Sequence, residues 1–232
     1  DSLAAIEHHV FRQQTVDMPS LREAMLLDFD CEGGVELQQI LWNKSPKWGN
    51  DDEHADRIAR AVFEMYFDAL NGRPNTKGRK YRVNLLPTTV HIYFGQVLGA
   101  SADGRRASMP LSEGISPSQG CDRSGPTAIV KSAAVIDHSR TGGTLLNMKF
   151  NRSVLEGVGL ARVCDLVRTY FTLGGHHIQF NVLSAETLLA AQRDPASYRN
   201  LIVRVAGYSD YFTDLGTDLQ NEIISRTEHQ SF

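Results

Sequence analysis

The sequence predicts a mixed α/β fold with a partly parallel sheet. Two observations carry this. The first third shows helical spacing of apolar residues, and the C-terminal third alternates short β-branched runs with amphipathic helices, the pattern of parallel strands joined by crossovers.

In chain order, Leu3, Ile6, Val10 and Phe11 are spaced as on a helix over residues 2–14. Ser20-Leu21-Arg22-Glu23 has the form of a capping box and predicts a second helix from Ser20 to about Asp30, broken by Cys31-Glu32-Gly33-Gly34. A third helix covers Val35 to Asn43. After the turn at Pro46 to Gly49, the acidic Asp51-Asp52-Glu53 starts a long fourth helix with a core stripe of Ala55, Ile58, Ala59, Val62, Phe63 and Tyr66, stopped at Asn71-Gly72. The period then changes: residues 81–85 and 90–94 are expected as strands around a turn at Pro87-Thr88-Thr89. Pro110 to Arg123 is an irregular crossing segment, and Gly125-Pro126 opens a helix with proline at its favoured first position.

A strand is expected over 144–150 and a helix over 153–173, opened by Ser153-Val154-Leu155-Glu156. A strand over 178–183, a helix over 185–192, a strand over 201–205 and a final helix capped at Thr217 complete the chain. On the strand 178–183, His177, Gln179 and Asn181 alternate with Ile178, Phe180 and Val182, giving one polar and one apolar face. Cys164 falls on the stripe of Leu160, Val163 and Val167 and is expected to be buried. Glu222 and Arg226 pair at i,i+4 on the final helix, whose apolar side carries Leu219 and Ile223.

Composition narrows the function. A hydrophobic content of 41% and charged content of 22% are those of a globular protein, and a net charge of -3 supplies no basic field for nucleic acid or an anionic membrane. No apolar run approaches the roughly 18 residues of a membrane span, so a cytoplasmic location is expected. Three scattered cysteines, Cys31, Cys121 and Cys164, form neither a disulfide framework nor a metal knuckle. His176-His177 lacks a third ligand at a useful spacing, and Asp137-His138 lacks a serine on a nucleophile elbow.

The string Arg204-Val205-Ala206-Gly207-Tyr208-Ser209-Asp210-Tyr211-Phe212 is more informative. A strand runs into a two-residue turn, and aromatics resume at once. As a turn glycine, Gly207 is needed for positive φ or close approach. The string also resembles the glycyl radical motif of the pyruvate formate-lyase superfamily. Gly104-Arg105-Arg106, the 110–117 stretch Pro-Leu-Ser-Glu-Gly-Ile-Ser-Pro, Gly125-Pro126-Thr127-Ala128, Gly143-Thr144-Leu145-Leu146-Asn147 and the 175–182 stretch Gly-His-His-Ile-Gln-Phe-Asn-Val are similar to further segments of it, in the same order.

The resemblance implies the C-terminal part of a ten-stranded β/α barrel with a radical loop, divided as 1–110 (barrel portion) and 111–232 (glycyl radical domain). It implies that Gly207 stores an unpaired electron, that Arg204, Val205, Ala206, Tyr208, Ser209 and Phe212 form its loop, and that no separate cofactor or metal is bound. It implies a dehydratase-like lyase acting on a small hydroxylated molecule, a homodimer as full-length enzyme, and a radical S-adenosylmethionine activase as partner. Through the dehydratases it points to His91 and Tyr93, two apart on one expected strand, as substrate-cavity residues. None of the cysteines matches the superfamily's thiyl loop, which lies upstream. The alternatives are a formate C-acetyltransferase or arylacetate decarboxylase of the same superfamily, or a non-catalytic spare part carrying the radical.

Overall fold

The computed structural model describes residues 1–230. The N-terminal third is helical. Helix α1 (Ser2–Ile6) runs into a π-helical turn (Glu7–Arg12), followed by α2 (Met18–Leu26), α3 (Gly34–Lys44) and α4 (Glu53–Leu70). The first of these differs from the straight helix expected over 2–14, and Leu3 and Phe11 are exposed while Ala4 and Ala5 are buried. Helix α2 starts earlier than the Ser20 capping box suggested. Asp17 is the N-cap, accepting from the Ser20 amide at 2.7 Å, and Pro19 sits in the first turn, where its missing N–H costs nothing. Asp52 caps α4 through the amides of His54 and Ala55.

The two strands expected over 81–94 are not formed. Residues 81–85 run extended but make only an isolated parallel bridge, Leu85 to Thr144, supported by Leu85 N–H to Gly143 O and Gly142 N–H to Val83 O. Residues 90–97 form a helix, α5 (Val90–Val97), with His91, Ile92 and Gly95 on its buried side. A short apolar run has no period of its own, so neighbours decide. Here a Cβ on Gly95 would strike the backbone of Met109 and Pro110, so the close approach of that segment seats the helix.

Helix α6 (Pro126–Ala133) opens with proline as expected and is followed by β1 (Leu146–Phe150). The helix expected from Ser153 is split. Asn151 caps a 3-10 turn over Arg152–Leu155, Gly157 takes φ +56°, and α7 (Gly159–Thr172) begins only after it. Its buried side is Gly159, Leu166 and Tyr170, so Cys164 is exposed, contrary to the expectation. Strand β2 (Ile178–Val182), helix α8 (Ala185–Arg193), strands β3 (Ile202–Arg204) and β4 (Ser209–Tyr211), helix α9 (Thr217–Ser225) and strand β5 (Glu228–His229) complete the chain. Gly216, not Thr217, is the N-cap of α9, without a side-chain cap.

One sheet has the order β2-β1-β5, all parallel, and β3-β4 is an antiparallel hairpin. The main core lies between β1, β2, α6 and α7 and reaches Phe63 on α4 and Val83, so packing crosses residue 110. A second core under the hairpin joins Leu188, Val203, Val205, Phe212 and Ile223. The far end of the α4 stripe is not covered: Val62 and Tyr66 are half exposed along an apolar groove of about 780 Å³ that Ile58 and Leu98 also line. No helix among the described residues is long and apolar enough to cross a membrane.

Candidate radical-loop site

The hairpin β3-β4 pairs Arg204 with Ser209 and carries Val205 to Tyr208 as its tip. The Val205 amide donates to Tyr208 O at 2.9 Å, and Gly207 takes φ +83°, the left-handed region that favours glycine. Val205 and Phe212 are fully buried and anchor the tip, whereas Gly207 and Tyr208 are exposed. An added Cβ on Gly207 would meet nothing within 4 Å. Backbone conformation, not crowding, is therefore what asks for glycine here.

The backbone entering this tip is held by three carboxamides from the central sheet. Asn181 on β2 accepts from the Arg204 amide and donates to the Arg204 carbonyl, both at 2.8 Å, standing in for a strand partner. Asn147 on β1 donates to the Val205 carbonyl at 3.2 Å. Gln179 on β2 accepts from the Gly207 amide at 3.3 Å and from Arg204 Nη2 at 2.9 Å, and donates to Asn147 Oδ1. Asn147 and Gln179 are register partners in the sheet, so their amides lie side by side. The polar face of β2 is thus buried: Gln179 and Asn181 are 6% and 4% exposed. Such groups are stable inside only when paired, and each is paired with the hairpin.

A buried ionic group closes the other side. Arg226, immediately after α9, donates Nη2 to Val205 O at 3.2 Å and Nη1 to Arg204 O at 3.4 Å, while Nε and Nη2 grip the Glu222 carboxylate at 3.1 and 2.8 Å. The expected i,i+4 pair exists, but it faces the protein and not solvent. Burial works to raise the Glu222 pKa, yet His91 and the Arg226 guanidinium bring it down to about 2. Gln119 also donates to this carboxylate, at 3.1 Å. Glu113 receives Ser116 Oγ–H, and Ser116 Oγ in turn accepts from the Asn147 amide at 2.9 Å; burial pushes the Glu113 pKa up.

The helix at 90–97 separates the two residues expected to share a strand face. His91 is buried with Nε2 3.7 Å from Glu222 Oε1, and Tyr93 is 61% exposed on the opposite side. Residues two apart diverge by about 200° on a helix, whereas they coincide on a strand. His91 therefore joins the ionic group under the loop and Tyr93 does not. Sequence reasoning singled out neither Asn147 nor Glu113 as a site residue; their signal was present as the separate short segments around 110–117 and 143–147, which the fold brings to one place, and Arg226 was read only as a helix-surface partner of Glu222.

A polar sheet face built to hold an exposed glycine hairpin defines a class of protein organised around a backbone glycine. Comparison with known proteins agrees: a family model for "Glycine radical" matches residues 111–213, and one for "Pyruvate formate lyase-like" matches residues 1–95. The chain belongs to the glycyl radical enzyme family of the pyruvate formate lyase type, and its fold is that of the C-terminal part of the family's barrel and its radical loop. It is 52% identical over 229 residues to trans-4-hydroxy-L-proline dehydratase of Clostridioides difficile, covering 98% of this chain and 29% of that protein. It is 42% identical to isethionate sulfite-lyase of Bilophila wadsworthia, covering 99% of this chain and 28% of that one. The crystal structure of the C. difficile hydroxyproline dehydratase with trans-4-hydroxy-L-proline bound superposes with a TM-score of 0.95 at 51% identity, over 100% of this chain and 29% of that chain. The chain spans under a third of the length of these relatives.

Proposed function

We propose that this chain is the radical-bearing portion of a glycyl radical lyase, a dehydratase that eliminates water from a small hydroxylated molecule. Gly207 stores the unpaired electron, in a loop formed by Arg204, Val205, Ala206, Tyr208, Ser209 and Phe212. The observation that carries this reading is an exposed glycine with free space around its Cα at the tip of a backbone that three buried carboxamides and one buried guanidinium hold in place. A plain turn needs no such support. A radical S-adenosylmethionine activase would remove one hydrogen atom from Gly207 Cα, and an upstream cysteine would then receive the radical and act on the substrate. The 52% identity to a dehydratase favours carbon–oxygen over carbon–sulfur elimination.

The division into 1–110 and 111–232 is a functional one, supported by family models that match 1–95 and 111–213. Further polypeptide from the same enzyme would cover the apolar groove beside α4, and the complete enzyme would work as a homodimer in the cytoplasm. Anaerobic treatment of the intact protein with activase and S-adenosylmethionine should give an organic-radical resonance split by one α-hydrogen. Gly207→Ala should abolish it, and air should then cut the wild-type chain at this residue, releasing a peptide that begins near Tyr208. An unchanged resonance in the alanine variant would refute the assignment.

A further inference from the structure

We infer that Gln179 is a positioning residue for the resting state of Gly207, holding the Ala206–Gly207 peptide in place, and that this peptide turns off Gln179 when a hydrogen atom leaves the Gly207 Cα. The inference rests on the reading of Gly207 as the radical site. An unpaired electron on a trigonal Cα occupies an orbital perpendicular to the N–Cα–C plane. It spreads into the preceding peptide only when that peptide lies in the same plane, which requires an extended φ. At the observed φ of +83° the Ala206–Gly207 peptide stands almost at a right angle to that plane. The orbital then misses the nitrogen π system and is nearly eclipsed with the N–H bond instead.

The resting tip therefore has the wrong geometry for a stored radical, and a single contact fixes it. Gln179 Oε1 accepts from the Gly207 N–H at 3.3 Å, a long bond, and that is this peptide's only hydrogen bond among the described residues. The groups on either side are held separately: Asn147 and Arg226 donate to the Val205 carbonyl, and the Val205 amide donates to Tyr208 O. One peptide can rotate between fixed neighbours when the φ that follows it and the ψ that precedes it change by opposite amounts. A turn of about a right angle carries Gly207 to an extended φ, which glycine adopts without steric cost, and swings its N–H away from Gln179. A Cβ built on Gly207 meets no atom within 4 Å, so the tip has room to turn. Gln179 keeps its bonds with Arg204 Nη2 and Asn147 Oδ1 and gives up one partner of three. The hydrogen leaves as proton and electron together: the Gly207 Cα–H bond breaks, and a C–H bond forms on the carbon radical that the activase makes from S-adenosylmethionine.

The test uses the intact protein labelled with ¹⁵N-glycine and activated anaerobically with activase and S-adenosylmethionine. After the turn, the N–H bond lies in the nodal plane of the radical orbital. Electron–nuclear double resonance of the wild-type radical should therefore show a weak N–H proton coupling and appreciable π spin on the glycine nitrogen. A strong N–H coupling without nitrogen π spin means that the resting φ persists, and overturns the inference. Gln179→Met removes the acceptor while keeping bulk, and should leave both couplings as in wild type, because the bond is already broken in the radical; altered couplings overturn the inference as well. Before activation, the Gly207 amide of the same variant should exchange with solvent about fivefold faster than in wild type, the scale of one hydrogen bond. An unchanged rate shows that Gln179 does not hold the resting tip. If Gln179→Met forms no radical or does not fold, Gln179→Asn, which withdraws the amide by one methylene, takes its place in both measurements with the same expected results. A resonance that survives in Gly207→Ala overturns the radical-site assignment instead.

Discussion

The guanidinium of Arg226 donates to the carbonyl of Val205, joining the residue that ends α9 to the hairpin tip 21 positions earlier. The same guanidinium holds the fully buried Glu222 carboxylate. The final helix therefore docks on the hairpin through a charged group and not only through Ile223 and its apolar neighbours.

Removing that group should be costly. Arg226→Met leaves Glu222 buried without its partner, and loss of one member of a buried pair costs about 3–5 kcal/mol. Adding Glu222→Gln should recover much of that loss, which a double-mutant cycle by urea unfolding measures. Strict additivity would show that the two act independently.

Gly207→Ala should be mild in stability. A φ of +83° disfavours alanine by about 1 kcal/mol, but the space for a Cβ is open. Thermal unfolding should show a shift of a few degrees, and a loss above about 3 kcal/mol would mean that the tip is more crowded than its surroundings indicate.

Asn181→Leu removes the acceptor of the Arg204 amide and the shorter of the two bonds to its carbonyl, which keeps only Arg226 Nη1 at 3.4 Å. Leaving the amide without its partner costs about 1–3 kcal/mol, so the hairpin should open locally before the rest unfolds. Hydrogen exchange at residues 202–211 should rise far more than at 146–150.

Asp56 on α4 accepts from Ser132 Oγ at 3.1 Å, but burial raises its pKa from 3.8 to about 6. Between about pH 4 and 6 the folded chain retains a proton that the unfolded chain has released, so this group's contribution to stability falls as pH rises through that window. Asp56→Asn removes the dependence and should stabilise the protein at pH 7 by roughly 2 kcal/mol relative to pH 4. Stability curves of the two proteins that stay parallel from pH 4 to 7 would contradict this.

Much of the chain was legible in order. The helices around 35–43 and 53–70, the proline-opened helix at 126, the strands around 144–150, 178–183 and 201–205 and the tip at Gly207 stand where local propensity, proline and apolar period put them. The parallel sheet followed from the alternation of strand and helix. These features are local, and a single chain segment carries the information for each.

Tertiary structure decided the rest. Residues 90–94 were expected as a strand, and the approach of Met109 and Pro110 to Gly95 settled residues 90–97 as a helix, sending His91 inward and Tyr93 out. Glu222 and Arg226 have the spacing of a solvated pair, and only the docking of α9 on the hairpin buried them. The alternation on β2 established that Gln179 and Asn181 share a face, but which face is buried depends on what packs there. Because the hairpin from 202–211 lies across that face and turns the Arg204 amide and carbonyl and the Gly207 amide towards it, polar residues are the ones buried there: side-chain amides offer both a donor and an acceptor, which an apolar residue at those positions could not.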